Sequence, residues 1–125
     1  MARPRSFDET VAVRGAAGVF AARGYEGTSV DDLVTALGIQ RGSLYAAFGS
    51  KRALYLRVLS DHVQALPDGD LTLLLRAAVE RADVDDDVAT LVATGLDRLR
   101  PTTADLPGLL GRELIARATR RPEDR

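Results

Sequence analysis

The sequence predicts an all-α chain, and three observations predict it. Apolar residues recur at the helical spacing i, i+3, i+4 and i+7 in one segment after another. Capping residues open those segments, and glycine or proline closes them. No stretch of useful length alternates apolar with polar residues, as a half-buried strand would. With 125 residues, 46% hydrophobic and 28% charged, the chain can bury a core as one domain, or as one domain with a small appendage.

Met1–Arg5 reads as a short arm carrying Arg3 and Arg5. Ser6-Phe7-Asp8-Glu9 has the pattern of a capping box, which puts Ser6 at the start of the first helix and two acids on its positive end. Ala12, Val13, Ala16, Val19 and Phe20 share one face of that helix, with Phe20 as its anchor, and Gly24 ends it. Tyr25 and Gly27 belong to a tight connection. Ser29 caps a second helix, with Asp32 reaching back to it. Val30, Leu33, Val34 and Leu37 form its apolar stripe, and Gly38 supplies a left-handed stop. Ile39 plugs the following turn. A third helix runs from about Gln40 to Phe48, with Leu44 and Phe48 inward. Arg41, Ser43, Tyr45 and Ala46 are then left on its outer side.

Ser50 caps a fourth helix, Lys51 to Leu66, which Pro67 stops. Leu54, Val58 and Leu59 face inward, with Tyr55 beside them. Pro67-Asp68-Gly69 is a turn and the boundary between two halves. Leu71, Leu74, Leu75, Ala78 and Ala82 make a fifth stripe. Asp85-Asp86-Asp87 opens a sixth helix with Val88, Leu91, Val92, Leu96 and Leu99 inward. Arg100-Pro101 ends it, and Asp105 caps a seventh through Leu109, Leu110, Leu114 and Ala118.

Composition narrows the function. No cysteine means no disulfide, no thiolate metal site and no cysteine nucleophile. His62 is the only histidine and reads as a packing or surface residue, since alone it builds no metal site. The three aspartates at 85–87 are explained more cheaply by helix capping than by a divalent cation. An enzyme is therefore the least supported class, and neither a cofactor nor a metal is expected. No apolar run approaches the ~18 residues of a membrane span, and no signal peptide is evident. The expectation is a cytoplasmic protein without a membrane partner.

The second and third helices, joined by a short Gly-containing turn, read as a helix-turn-helix whose later helix suits the major groove of DNA. Residues 1–60 carry eight basic and five acidic groups, and the remainder nine and thirteen. A mildly basic front and an acidic back suit a front that meets phosphates, or are simply two solvated surfaces. Sixteen of the 17 basic residues are arginine, which we take as GC-rich coding; Lys51 is the only lysine.

The runs Gly24-Tyr25-Glu26-Gly27-Thr28-Ser29-Val30 and Gly42-Ser43-Leu44-Tyr45-Ala46-Ala47-Phe48-Gly49-Ser50-Lys51 resemble the DNA-binding domain of the tetracycline-repressor (TetR) family, over Phe7 to about Leu59. The resemblance implies a three-helix helix-turn-helix domain over 1–50, a connecting helix over 51–66 and a short helical regulatory or dimerisation part over 67–125. It implies a sequence-specific transcriptional regulator, a repressor, that reads a double-stranded DNA operator with helix 40–48 as a homodimer. Positions matching Thr28, Tyr45 and Lys51 are backbone contacts in that family. The residues themselves add Ser29 and Ser43 as phosphate contacts. Gln40 and Arg41 are placed to read bases, adenine and guanine respectively. Gly42 lets the helix approach closely, and Ala46 sits at the centre of the reading surface.

The sequence also departs from the family. Gln40 replaces the usual small hydroxyl cap, and Ala46 and Ala47 stand where larger residues are common. The chain behind Leu59 is shorter than the family's helical domain, and its aromatic residues end at Tyr55, which leaves little room for a small-molecule effector. Leu91, Leu99, Leu109, Leu110 and Leu114 are more apolar residues than three short helices readily hide, and so are candidates for a dimer face. Two alternatives stand beside the regulator. One is a remnant that has lost dimerisation or ligand control; the other is a helical interaction module without DNA function.

Overall fold

Local capping sets where most of the helices begin. The structure, a computed structural model, describes residues 7–120. Its seven α-helices are α1 (Glu9–Arg23), α2 (Val30–Leu37), α3 (Arg41–Phe48), α4 (Lys51–Ala65), α5 (Thr72–Glu80), α6 (Asp86–Leu99) and α7 (Leu106–Ala118). A single 3-10 turn, Arg100–Thr102, joins α6 to α7, and there is no strand among the described residues. The fold is all-α. No helix among them is long and apolar enough to cross a membrane.

The caps at Ser29, Ser50, Asp85 and Asp105 fall where the sequence puts them, each side-chain oxygen accepting from a backbone N–H in the first turn. At Ser29 the box is complete. Its hydroxyl accepts from the Asp32 N–H, and its own N–H donates to the Asp32 carboxylate, both at 2.9 Å. Gly38 takes the left-handed conformation, φ 66° and ψ 30°, that ends α2. The first helix differs from expectation. It starts at Glu9 and is capped by Asp8, whose carboxylate accepts from the Thr10 N–H at 2.8 Å. Ser6 and the arm before it lie outside the described residues. Two capping side chains stand two residues apart here, and the later one is used.

The fourth helix is the axis of the packing: α1, α3, α5 and α6 all lie against it. Leu54, Tyr55, Val58, Leu59 and Val63 are its buried side. One apolar cluster runs through Val13, Ala16 and Phe20 of α1, Leu33 of α2, Leu44 of α3, this face of α4, and on through Leu74, Ala77, Val88, Val92 and Leu99 to Leu106. Phe20 is fully buried, with its ring 5.0 Å from that of Tyr55 in an edge-on arrangement. The fifth stripe is phased differently from expectation. Leu71, Leu73, Leu74 and Ala77 are buried, whereas Ala78 is exposed and Ala82 lies beyond the end of the helix. Four leucines within five positions leave the phase of a short helix open, and packing against α4 and α6 decides it.

The last helix sits at the margin. Only Leu106 of α7 is buried, while Leu109 and Leu110 pack partly against the core. Arg117 ties its far end, donating to the Thr72 hydroxyl at 2.9 Å and to the Asp70 carboxylate at 3.0 Å.

Candidate nucleic-acid interface

The third helix has one inner residue and an outer row. Leu44 is wholly buried and Phe48 partly so, which fixes the rotation of α3. That rotation leaves Gln40, Arg41, Gly42, Tyr45 and Ala46 exposed, with Ser43 half-buried. The Tyr45 side chain is 42% exposed. Gln40 holds the N-cap position without a side-chain cap bond, so its amide is not committed to the helix start. A β-carbon added at Gly42 would meet nothing nearby, so the surface there is open.

Arg41 is not idle. Its guanidinium donates to the carboxylate of Asp31, in the first turn of α2. Both side chains are largely exposed, so the pair is a weak surface tie that can open. Asp31 escaped the sequence reading because it lies ten residues away across the turn, where no helical periodicity relates the two.

Behind α3, the connection from α1 to α2 is held from inside, at two residues expected to meet phosphates. The Thr28 side chain is 1% exposed, and its hydroxyl donates to the Gly24 carbonyl at 2.7 Å. That hydroxyl is spent within the fold and is not turned toward solvent. Lys51 donates to the Tyr25 and Thr28 carbonyls, each at 2.9 Å, and its ammonium lies 4.0 Å from the centre of the Tyr25 ring. Two of its three donors are thus spent on capping a buried turn. A third expectation narrows. The start of α2 was read as a seat for phosphate, but the Ser29 box occupies two of its donors and places Asp32 there. The Ser29 N–H and hydroxyl hold the Asp32 carboxyl below the usual carboxylate range. Gly27 belongs to the same turn for a steric reason: a β-carbon there would collide with the Arg23 carbonyl oxygen.

The candidate dimer residues divide. Leu99 is 2% exposed and belongs to the chain's own core, so it is not available to a partner. Leu91, Leu109 and Leu110 are partly buried against that core. Leu114 is 52% exposed, and beside it Ile115, which the sequence reading passed over, is 62% exposed. The aspartates at 85–87 are engaged by protein. Asp85 caps α6 and takes a two-pronged bond from Arg52 at 2.9 and 3.0 Å, and Arg52 also reaches Asp87 at 2.8 Å. The Arg52 guanidinium holds the Asp85 carboxyl below the usual range. Among the described residues no three His, Cys, Asp or Glu side chains are grouped to hold a metal ion.

This arrangement, a short exposed helix on a capped and internally braced helix-turn, can be set beside known proteins. Residues 12–58 match the family described as bacterial regulatory proteins, tetR family. Over that segment the chain is similar to the tetR family. The matched segment includes all of α2 and α3, the turn between them and the first half of α4. Relatives agree with it. The uncharacterized HTH-type transcriptional regulator YezE of Bacillus subtilis is 42% identical over 64 residues, covering 51% of this chain and 33% of that protein. The HTH-type transcriptional repressor BdcR of Escherichia coli is 42% identical over 71 residues, 55% of this chain and 36% of BdcR. The HTH-type transcriptional activator FasR of Mycolicibacterium smegmatis is 39% identical over 71 residues, 50% of this chain and 32% of FasR. The matched part thus spans about a third of the length of these curated relatives. No solved structure matches.

Proposed function

We propose that this chain is a DNA-binding transcriptional regulator that reads a double-stranded operator in the major groove with α3. The observation that carries the proposal is the outer row of α3, exposed in a segment similar to the tetR family whose inner residue, Leu44, is completely buried. In this reading Arg41 releases Asp31 and pairs with guanine, and Gln40 reads adenine. Gly42 and Ala46 allow close approach of the helix to the base edges. Ser29, Ser43 and Tyr45 contact phosphates and fix the register. Thr28 and Lys51 stand behind them and hold the turn that presents Ser29.

The protein acts as a homodimer, because a single short reading helix covers only a few base pairs and a second copy about one DNA turn away supplies the rest. The exposed Leu114 and Ile115 on α7, with Val79 on α5, are the apolar surface that supports this. It acts as a repressor, the role printed in the names of BdcR and of a further relative, ComR of Escherichia coli, 41% identical over 61 residues.

Fluorescence anisotropy with DNA selected from random duplexes tests the reading. The expected result is binding to selected DNA roughly a thousandfold or more tighter than to scrambled DNA at physiological salt. Equal affinity for both, or none, would contradict it. A reporter placed behind the selected site gives the sign of regulation, and a rise on adding the protein would overturn the repressor role alone.

A further inference from the structure

The turn between α1 and α2 is gripped from the back half of the chain as well as from α4. Arg81, just past the end of α5, carries its guanidinium carbon 4.3 Å from the centre of the Tyr25 ring. It donates to the Glu26 carboxylate at 2.7 Å and stands 3.8 Å from Asp85. Its side chain is mostly buried, although Glu26 is exposed. Three segments therefore meet at one cluster: Tyr25 and Glu26 in the turn, Lys51 and Arg52 at the start of α4, and Arg81 and Asp85 in the α5–α6 connection. Asp85 is fixed there by the α6 cap and by Arg52. A cation over an aromatic ring and a charge-assisted bond, both partly shielded from water, are worth more than the same pairs on an open surface.

We propose that Arg81 is a positioning residue for DNA recognition: it clamps the α1–α2 turn, so the α5–α6 connection sets how α2 and α3 meet the duplex. The proposal rests on the DNA-binding reading above. The interactions of Arg81 run to Tyr25, Glu26 and Asp85. It acts through Tyr25 and Glu26, whose turn leads directly to Ser29 and the start of α2. A shift of the α5–α6 connection pulls on this turn through the Arg81 guanidinium, while the apolar core under Phe20 stays in place. The back half is thereby tied to the reading head by a polar link that can change without unpacking the core.

The test uses the full chain and three variants, Arg81→Met, Arg81→Lys and Glu26→Gln. Circular dichroism and melting first establish that each is folded. Two readouts follow: amide hydrogen exchange along the chain, and affinity for selected DNA. In Arg81→Met, amides of 25–32 should exchange faster while those of the buried face of α4 are unchanged. Affinity for selected DNA should fall roughly 2- to 30-fold. Arg81→Lys keeps the cation over Tyr25 and should recover part of the loss, and Glu26→Gln should give a smaller one. Unchanged exchange at 25–32 in folded Arg81→Met would overturn the clamp. Faster exchange with unchanged DNA affinity would overturn its role in recognition. A wild-type chain that selects no DNA would remove the DNA-binding reading, and with it the positioning role; the exchange data would then decide the clamp alone.

Discussion

The first and last helices are of similar length, yet they are held by different forces. Among the 15 residues of α1, Ala12, Val13, Ala16 and Phe20 are buried, and the helix spans the reading head and α4. Among the 13 residues of α7 only Leu106 is buried. The far end of α7 is tied by Arg117, and Leu114 and Ile115 face solvent. A helix that shares the core makes a rigid floor for α2 and α3. One held at its edge by polar bonds leaves an apolar face for another molecule. In the proposed function the first kind of attachment would hold the reading surface, and the second would leave room for a partner copy.

The contrast predicts very different costs for removing apolar side chains. Phe20→Ala should destabilise the chain by ~3–5 kcal/mol, because a large aromatic is lost from a fully buried site. Since the front and back share one core, the whole chain should melt in a single lowered transition. Leu114→Ala should cost under ~0.5 kcal/mol in a monomer. Urea denaturation measures both, and similar losses would erase the distinction between the two helices.

The second expected effect falls on DNA binding. Arg41→Ala should cost ~1–3 kcal/mol on the selected site and relax the preference at one base pair. Lys51→Ala should also weaken binding, but through a loosened turn, with the salt dependence largely kept. A slope reduced by about one would instead make Lys51 a phosphate contact. Anisotropy across a salt series separates these outcomes.

Acid should act through two groups, His62 on α4 first and Asp85 beside Arg52 last. The Asp85 carboxyl is held below its usual range by Arg52, and burial pushes the His62 imidazole below its own. A depressed carboxyl adds stability that is full above its unfolded value of about 3.9 and is lost as pH falls through the folded value. His62 acts in the same direction, adding stability above about pH 6.5 that is lost as pH falls through its folded value. Melting temperature should therefore decline from neutral pH downward. Asp85→Asn keeps a cap oxygen, loses the charge on Arg52 and should flatten the decline below about pH 4. A variant with the wild-type pH profile would show that the Arg52 fork contributes nothing. The smallest effect belongs to Tyr45→Phe, which should leave melting unchanged because the side chain is exposed, while weakening DNA binding by one hydrogen bond. A large fall in melting temperature would place the Tyr45 hydroxyl inside the fold's own network.

How legible each feature was in the sequence follows from how far apart its partners lie. Caps at Ser29, Ser50, Asp85 and Asp105 bond two or three residues along the chain, so spacing alone finds them. The phase of α3 was equally plain, because Leu44 and Phe48 are one turn apart. The start of α1 was misplaced by two residues because Ser6 and Asp8 compete for one role. The stripe of α5 was misphased because its leucines crowd together. The Thr28 hydroxyl and the Lys51 ammonium were read as surface groups, since nothing local says that one is buried and that the other reaches back 23 and 26 residues to two carbonyls. Arg81 and Glu26 are 55 residues apart, and only the fold brings them together.

The central claim is that α3 reads DNA, and one selection experiment tests it most directly. Purified wild-type protein and Arg41→Ala are each used to select bound fragments from a random duplex library. The account predicts that the wild type enriches a two-fold symmetric motif with half-sites about one helical turn, ~34–36 Å, apart, and that Arg41→Ala enriches the same motif with the preference at one base pair of each half-site relaxed. A wild-type selection with no enriched sequence, or an identical motif from both proteins, would contradict it.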